Sequence, residues 1–325
     1  MSFSSFWLFF RERIRALLWF YKACHTEKIL FSYQHSVNDH WNVPYDYFTE
    51  QRVSTLKKGI DTRSCKYLDA YIRNLQLLLL LRGHDFALVL EDREDAKELR
   101  MDFRQNELKK YKDSNLPCFL PESLYFHHGL RSESSAVKEY VQNKIFIDGG
   151  ACHGDSTLAF QQYKPKKVVA FDISERNAQK YRDVMRKNHI PEEKAVLILK
   201  GLGERHEEIS FSDDAFGSTT LMKTGNNKAT IIPLDSCTEI DGTVGLIKLD
   251  LEGFGYRAVK GMIETIKSNR PVLAIAVYHN EEELFGIKPL LESLNLNYKF
   301  EFKPCGFNDI NEMTLFAYPM ELSER

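Results

Sequence analysis

The stretch that most constrains the fold is 144–155, which reads Lys-Ile-Phe-Ile-Asp-Gly-Gly-Ala-Cys-His-Gly-Asp. A short apolar run, Ile145 to Ile147, ends on Asp148, and glycines follow at once. A polar segment able to form a helix continues to Tyr163. This order is typical of a buried parallel strand, a tight turn and a helix start. Because glycine has no Cβ, such a turn lets backbone approach a ligand closely.

From residue 144 onward, predicted strands alternate with predicted helices, which indicates an α/β fold with a mostly parallel sheet. The predicted strands are 144–148, 167–172, 195–199, 244–250 and 271–279, and extra β-structure is expected over 208–234. The predicted helices are near 155–163, 175–188, 255–267 and 281–294. Residues 298–302 and 313–318 are predicted to close the sheet as an antiparallel pair.

Residues 1–125 lack strand alternation and are predicted to be helical, near 3–22, 47–58, 64–82 and 92–112. The first helix is amphipathic, so it packs on the protein's own core or a second subunit, or it docks on a membrane surface. Charged residues from Arg11 to Arg15 end its apolar run well short of the roughly 20 residues a membrane span needs. We therefore expect a helical region over 1–125, without catalytic residues, and a catalytic domain over 126–325.

Composition limits the classes of function. The chain has 325 residues, 28% of them charged, and a formal net charge of −2, which gives no overall basic footprint for nucleic acid. Its six cysteines form no Cys-x-x-Cys pair, so a zinc ribbon or a disulfide scaffold is not indicated, and a reducing cytoplasm is the expected location. The adjacent His127 and His128 suit a metal or substrate site, or a buried structural role, which is the more common outcome.

Two aspartates, Asp148 and Asp172, distinguish between nucleotide cofactors. A dinucleotide-binding turn reads G-x-G-x-x-G, whereas this turn lacks the middle glycine and has an acid that would repel a pyrophosphate. An acid at the end of the first strand suits a ligand with an ammonium group. An acid at the end of the second strand suits the two hydroxyls of a ribose. S-adenosylmethionine carries both groups, so the pair predicts this cofactor.

With these residues in place, the chain resembles the FkbM family of S-adenosylmethionine-dependent methyltransferases. The matching stretches are 146–155, Val169-Ala-Phe-Asp172, Ile232-Pro-Leu-Asp235, Leu246-Ile-Lys-Leu-Asp-Leu-Glu-Gly253 and Asn269-Arg-Pro271. The K-x-D-x-E-G block at 248–253 is the most specific of them. The family often has Glu-Pro where this chain has Asp172 and Ile173. The resemblance covers about 125–319 and implies a Rossmann-like class I methyltransferase sheet with an antiparallel last strand.

The resemblance also implies which residues hold the cofactor. These are Asp148, Gly149, Gly150, Ala151, Gly154, Asp155, Asp172 and Ile173, with Gly201 and Leu202 as weaker candidates for the adenine pocket.

Methyl transfer to an alcohol needs a base that removes the hydroxyl proton. Asp250, Glu252 and His279 are expected near the carboxyl ends of the fourth and fifth strands. We predict His279 as the base because an unperturbed histidine titrates near neutrality, with Asp250 as the second choice. Lys248, on the same strand face as Asp250, is expected to fix Glu252 or the substrate. No resident metal is predicted, although the same carboxylates and histidine suit a divalent ion.

The expected function is O-methylation of a sugar hydroxyl, in a nucleotide sugar or a surface-polysaccharide building block. The alternatives are O-methylation of a small natural product and a non-catalytic module that binds S-adenosylmethionine. The expected partners are a small-molecule or glycan acceptor and no nucleic acid; a homodimer and contact with a membrane surface stay open.

Overall fold

The computed structural model describes residues 29–32, 41, 43, 47–80, 87–90, 96–213, 219–221, 227–307 and 312–323. The strands, in chain order, are β1 (Ile29–Ser32), β2 (Ala87–Leu90), β3 (Ile145–Gly149), β4 (Lys167–Phe171), β5 (Ala195–Ile198), β6 (Gly201–Leu202), β7 (Glu207–Asp213), β8 (Thr219–Leu221), β9 (Asn227–Ile232), β10 (Val244–Leu249), β11 (Val272–Ala276), β12 (Tyr298–Pro304) and β13 (Met313–Pro319).

The α-helices are α1 (Glu50–Lys57), α2 (Thr62–Leu80), α3 (Ala96–Asp102), α4 (Leu108–Tyr111), α5 (Pro121–Leu124), α6 (Ser135–Val141), α7 (Asp155–Phe160), α8 (Glu175–Lys187), α9 (Gly255–Lys260), α10 (Ile263–Asn269) and α11 (Glu281–Ser293). A π-helical turn, Phe103–Glu107, joins α3 to α4, and a 3₁₀ segment, His127–Ser132, follows α5.

The central sheet has seven strands in the order β12-β13-β11-β10-β3-β4-β5. β3, β4, β5, β10 and β11 pair in parallel, whereas β13 runs antiparallel to both β11 and β12. Every residue of β3, β10 and β11 is buried, as expected for parallel strands covered on both faces. The predicted Rossmann-like sheet with an antiparallel last strand is therefore confirmed.

A smaller sheet follows the third parallel strand. Its strand order is β6-β9-β7-β8, and it includes most of the segment for which the sequence predicts extra β-structure. One prediction for the N-terminal region is wrong, because β1 and β2 form an antiparallel ribbon where only helices were expected. Four residues a strand are too few for a clear alternation of polar and apolar side chains.

The described N-terminal helices pack on the central sheet. Leu56 of α1 and Leu68 of α2 belong to the same buried cluster as Ile247 and Ile275 of the sheet. The predicted helices near 47–58 and 64–82 are α1 and α2, and the charged helix near 92–112 is divided into α3, the π-helical turn and α4. The helix expected near 3–22 lies outside the described residues, and the boundary at 125 stays a prediction.

The opposite face of the sheet is covered by α6, α7 and α8, whose apolar side chains contact Phe146, Val168 and Ala170. Among the helices described here, none is long and apolar enough to cross a membrane. The helices on the two faces of the sheet leave the carboxyl ends of the parallel strands uncovered.

Candidate functional site

A cavity of about 370 Å³ lies at the carboxyl ends of the parallel strands. Its walls come from the turns after β3, β4 and β10, from the small sheet, and from the segment around α5. The lining residues are Cys118, Leu120, Glu122, Gly150, Cys152, His153, Phe171, Asp172, Ile173, Asn177, Gly201, Leu202, Ile209, Ile231, Asp250, Leu251, Glu252, Phe254, Tyr278 and Glu312. In open α/β sheets this crevice is where ligands bind.

The turn after β3 requires glycine at position 150. Gly150 has φ +74°, and a Cβ there would lie 1.8 Å from the backbone oxygen of Asp250. The backbone N–H groups of Gly150 and Ala151 both donate to the Phe171 carbonyl, at 3.0 Å. The turn is thus held against β4 and packed against the end of β10, which leaves no room for a side chain.

Asp148 and Lys248 form a buried ion pair beneath this turn. The two residues are directly opposite in the register of β3 and β10, so their side chains share one face of the sheet. Lys248 Nζ lies 3.1 Å from Asp148 Oδ1 and donates to the carbonyls of Gly149 and Gly150, at 3.1 and 2.8 Å. Burial alone would lower the pKa of Lys248, but Asp148, Asp250 and Asp155 raise it above its usual value. Lys248 therefore stays charged and holds the glycine turn; that it fixes Glu252 or the substrate stays a prediction.

The carboxylate of Asp148 is fully buried and accepts a hydrogen bond of 2.7 Å from the Thr157 hydroxyl. It does not line the cavity, so direct contact with an ammonium group of the cofactor is not supported. Its role in this structure is to neutralise Lys248. The sequence placed Asp148 at the end of its strand but did not show that the facing strand β10 contributes a cation beside it.

Asp172, at the end of β4, does line the cavity. Its carboxylate accepts from the backbone N–H of Cys152 at 2.9 Å and of Ser174 at 2.8 Å. Ser174 is the N-cap of α8, which fixes the chain direction immediately after the aspartate. Burial raises the pKa of Asp172 above its usual value. The carboxylate is thus fixed in position at the edge of the cavity.

The predicted cofactor residues divide into two groups. Gly150, Asp172, Ile173, Gly201 and Leu202 line the cavity. Asp148, Gly149, Ala151, Gly154 and Asp155 do not; they form the buried support of the turn and the start of α7.

His279 lies between carboxylates and does not line the cavity. Its Nδ1 is 2.9 Å from Glu283 Oε2, and its Nε2 is 3.2 Å from Asp250 Oδ1 and 3.7 Å from Glu252 Oε2. Burial alone would lower the pKa of His279, but Glu283 and Asp250 raise it well above its usual value. A ring that is protonated at neutral pH has no lone pair to accept a proton, so the structure argues against His279 as the base. Sequence alone did not reveal Glu283, in the first turn of α11, as the second partner.

Asp250 and Glu252, predicted to be catalytic, do line the cavity, together with Tyr278. The Tyr278 hydroxyl lies 3.2 Å from Asp250 Oδ1 and 3.3 Å from its Oδ2. Burial would raise the pKa of Asp250, but the close contact with His279 and the charge of Lys248 hold it well below its usual value. Asp250 is therefore ionised and only weakly basic.

Among the cavity residues that the sequence did not indicate is Glu122, an acidic side chain. It lies on α5, in the region expected to lack catalytic residues, and α5 packs beside α7. Burial and the nearby Asp155 raise the pKa of Glu122 to about 8, and Asp250 adds to this effect. The signal that could have indicated it is the Leu-Pro-Glu sequence at the join of the two regions, where Pro121 begins the helix.

The neighbouring histidines have structural roles. His127 Nδ1 is 2.6 Å from the Tyr163 hydroxyl, and His128 Nε2 is 2.7 Å from the Ser156 hydroxyl. Burial lowers the pKa of His127 to about 4 and that of His128 to about 3. Both rings are therefore neutral; His128 holds α7, and His127 holds the 3₁₀ turn that follows it. Within the described ranges, no three His, Cys, Asp or Glu side chains are arranged to hold a metal ion.

Comparison with known proteins agrees with this geometry. Residues 148–307 match the family model described as the Methyltransferase FkbM domain. A solved structure of the FkbM methyltransferase from Methylobacillus flagellatus KT is 20% identical, with a TM-score of 0.55, and the match covers 82% of this chain and 58% of that one. At this identity the likeness shows the fold, and the chain spans less than two thirds of that protein's length.

Two further solved structures are similar at lower scores. An rRNA methylase from Streptococcus thermophilus is 17% identical over 60% of this chain and 93% of its own, with a TM-score of 0.36. TrmK from M. capricolum in complex with S-adenosylhomocysteine is 15% identical over 61% of this chain and 69% of its own, with a TM-score of 0.32. Neither score is high enough to bear on function.

No curated protein matches the sequence. The family match begins on Asp148 and extends through the K-x-D-x-E-G block to Phe307, so it includes most of the residues that line the cavity. Residues 148–307 of the chain are therefore a domain of the Methyltransferase FkbM family.

Proposed function

We propose that the protein transfers the methyl group of S-adenosylmethionine to a hydroxyl of a sugar. The observation that carries the proposal is the arrangement of the cavity. Asp172 and apolar side chains lie beyond β4 and β5, and the carboxylates Glu122 and Asp250 lie toward β10. The family supplies the reaction, and the cavity supplies a place for the donor and for an acceptor hydroxyl.

The residues at the β4 end fit the adenosine part of the cofactor. The Asp172 carboxylate is fixed by backbone N–H groups and faces the cavity, where it can accept hydrogen bonds from two ribose hydroxyls. The apolar side chains suited to the faces of an adenine ring are Ile173, Leu202, Ile209 and Ile231. Gly150 permits close approach of a ligand to the turn after β3.

Bound S-adenosylmethionine supplies an electrophilic methyl group. The acceptor oxygen forms a bond to the methyl carbon as the carbon–sulfur bond breaks, and the hydroxyl proton passes to a base. Glu122 is our candidate for that base. A carboxylate with a pKa of about 8 is a far better proton acceptor than one with an ordinary value, and it is partly ionised near neutral pH.

Asp250, with the side chains that hold it, positions the acceptor. Asp250 stays ionised because His279 and Lys248 hold its pKa low, so it accepts a hydrogen bond rather than a proton. His279, held by Glu283, fixes one Asp250 oxygen, and the Tyr278 hydroxyl contacts the same carboxylate. We assign His279 as a positioning residue.

A sugar acceptor is supported by the mixture of groups at this end of the cavity. Carboxylates accept hydrogen bonds from neighbouring hydroxyls, while Leu120 and Phe254 offer apolar surface to the C–H face of a pyranose ring. A hydroxylated natural product presents similar groups and is the alternative acceptor.

The proposal is tested by incubating the protein with methyl-labelled S-adenosylmethionine and a panel of sugars and glycosides. We expect label in a glycoside ether with the wild type and a loss of at least about tenfold with Asp172→Asn, because the charged contact to the ribose is lost. Label that appears only in hydroxylated compounds that are not sugars would refute the sugar acceptor.

A further inference from the structure

We infer that the acceptor is an oligosaccharide, and that a groove along β12 binds the sugar units next to the one that is methylated. This inference deepens the proposed function and rests on it for the reaction. The observation behind it is a cavity of about 560 Å³ outside the site described above. Binding sites for small molecules have volumes of about 300–1,000 Å³, so this cavity is of a size that holds a ligand.

The groove lies between β12, α2 and the segment that joins α5 to α6. Lys299, Glu301 and Lys303 line it from one face of β12, because alternate residues of a strand point to the same side. Tyr67 lines it from α2, and side chains within 125–134 supply the opposite wall. The N-terminal helices and the catalytic domain therefore both contribute to it.

One end of the groove lies beside the catalytic cavity. β12 is antiparallel to β13, which is antiparallel to β11, so β12 ends on the same side of the sheet as the parallel strands. Pro304 and Cys305 line the groove at this end, and the Cys305 N–H donates to the carbonyl of Glu312, a cavity residue, at 2.7 Å. From Pro304 back to Lys299, β12 extends roughly 16 Å away from the cavity.

The segment around α5 is a second connection between the two sites. Glu122 lines the catalytic cavity, and Phe126, four residues later, lines the groove. The backbone of Tyr125 and Phe126 is still in the right-handed helical region, so Glu122 and Phe126 project from adjacent turns of one helical face. Side chains four residues apart on a helix are neighbours, with Cβ atoms about 5–6 Å apart. A sugar with its hydroxyl at Glu122 therefore has the groove within reach of its next unit.

The groove offers the kinds of group that bind sugars. Tyr67 and Phe126 are half-buried, so part of each ring can contact the C–H face of a pyranose. The hydroxyls of Ser132 and Tyr318 and the carboxylate of Glu301 can exchange hydrogen bonds with sugar hydroxyls. Apolar surface next to donors and acceptors matches the two faces and the rim of a sugar ring.

Charges along the groove are paired, which favours a neutral ligand. The pairs are Lys299 with Glu301 at 2.9 Å, Arg131 with Glu107 at 2.7 Å, and Lys303 with Glu133. Burial lowers the pKa of Lys303 to about 7, whereas the carboxylates beside it favour its charged form. Paired charges still offer hydrogen-bond donors and acceptors to hydroxyl groups, and they leave little net charge to attract an anion or a cation.

Binding in the groove is tested without methyl transfer, on printed arrays of neutral glycans from single sugars to pentasaccharides. We expect labelled wild-type protein to bind some disaccharides or longer glycans at least about tenfold more strongly than single sugars. In Tyr67→Ala this preference should fall about tenfold, because an aromatic face is lost, and Tyr67→Phe should retain it. Lys66→Ala, at an exposed position of α2 outside the groove, is the matched control.

Ser132→Leu, at an exposed position in the groove, removes a hydroxyl and adds bulk, so it provides a second variant with the same expected loss. Calorimetry with S-adenosylhomocysteine shows that each variant is folded. No binding of the wild type to any printed glycan, or the wild-type preference in both Tyr67→Ala and Ser132→Leu, would overturn the inference.

Turnover separates the inference from the proposed function. For a methylated oligosaccharide and the single sugar that it ends in, we expect kcat/KM to be at least about tenfold higher for the oligosaccharide. The ratio should fall in Tyr67→Ala. Equal values for the two acceptors would overturn the inference and leave the proposed function in place. If no sugar is methylated, the proposed function fails, and the arrays still decide whether the groove binds glycans.

Discussion

At the residue scale, the crevice depends on charges held in buried pairs. Lys248 sits between Asp148 and the carbonyls of the glycine turn, and His279 sits between Glu283 and Asp250. Buried ion pairs of this kind add little net stability, but removing one partner leaves the other as an uncompensated buried charge. The pairs therefore fix geometry, and they determine which acidic group is left to accept a proton.

The first prediction concerns the pH dependence of turnover. Glu122 acts as a base only when ionised, and its pKa is raised to about 8 in the free protein. In the wild type we expect kcat/KM to fall about tenfold per pH unit below that value. In Glu122→Gln we expect a much lower kcat/KM that no longer has this pH dependence. Steady-state kinetics between pH 6 and pH 9, about the range in which this group titrates, measure it. A fall in kcat/KM below about pH 8 that persists in Glu122→Gln would exclude Glu122 as the base.

The second prediction concerns the ion pair beneath the turn. Lys248→Met should lower the free energy of unfolding by about 3–5 kcal/mol, because Asp148 is left charged and buried. Asp148→Asn/Lys248→Met should recover much of that loss. Urea denaturation of Lys248→Met, Asp148→Asn and the double variant gives a double-mutant cycle, which measures the coupling between the two residues. Additive effects would show that the pair is not coupled.

Residue roles were the least predictable part of the site. The sequence places Asp148, Asp250 and His279 at strand ends, but it does not show that Lys248 faces Asp148 or that Glu283 reaches His279. Those contacts depend on the register of β3 with β10 and on the first turn of α11. Glu122 was harder still to predict, because it reaches the cavity from a short helix, α5, outside the alternating strands and helices.

At the element scale, the turn after β3 illustrates a part that the sequence does predict. An apolar run followed by Asp-Gly-Gly predicts strand, turn and helix, and the structure has β3, the turn at Gly150 and α7. The boundaries of later helices were less accurate. The single helix expected near 255–267 is divided into α9 and α10 at Gly261, where a Cβ would lie 1.9 Å from the Gly203 backbone oxygen.

The third prediction compares two glycines with the same φ of +74°. At Gly150 a Cβ would meet the Asp250 backbone oxygen at 1.8 Å, whereas at Gly59 nothing lies within 4 Å. Gly59→Ala should cost only about 1–2 kcal/mol for the left-handed backbone. Gly150→Ala should cost more and should abolish binding of S-adenosylmethionine. Thermal unfolding and calorimetry measure both; equal effects of the two substitutions would contradict the steric argument.

At the scale of the whole molecule, the described N-terminal helices and the sheet share one core. Trp41 donates from Nε1 to the Tyr278 carbonyl at 2.8 Å, and Ser64 accepts from the Phe302 N–H at 3.1 Å. The sequence predicted helices there but not the surface they cover, since amphipathic spacing identifies an apolar face without identifying its partner. Trp41 also connects this region to the residue beside His279.

The fourth prediction follows from that shared core. Leu68 of α2 is fully buried in the cluster that includes Ile247 and Ile275. Leu68→Ala should lower the free energy of unfolding by about 2–5 kcal/mol and leave a single transition. Helical circular dichroism and tryptophan fluorescence should change together. Two separate transitions would show that the helices and the sheet fold independently.

The most direct test of the account is a calorimetric titration of the wild type and Asp172→Asn with S-adenosylmethionine, S-adenosylhomocysteine and NAD. We expect the wild type to bind the first two and not NAD. We expect Asp172→Asn to weaken the binding at least about tenfold, since the variant loses a charged hydrogen-bond acceptor for the ribose. Binding of NAD in preference to S-adenosylmethionine, or equal affinities in the wild type and the variant, would contradict it.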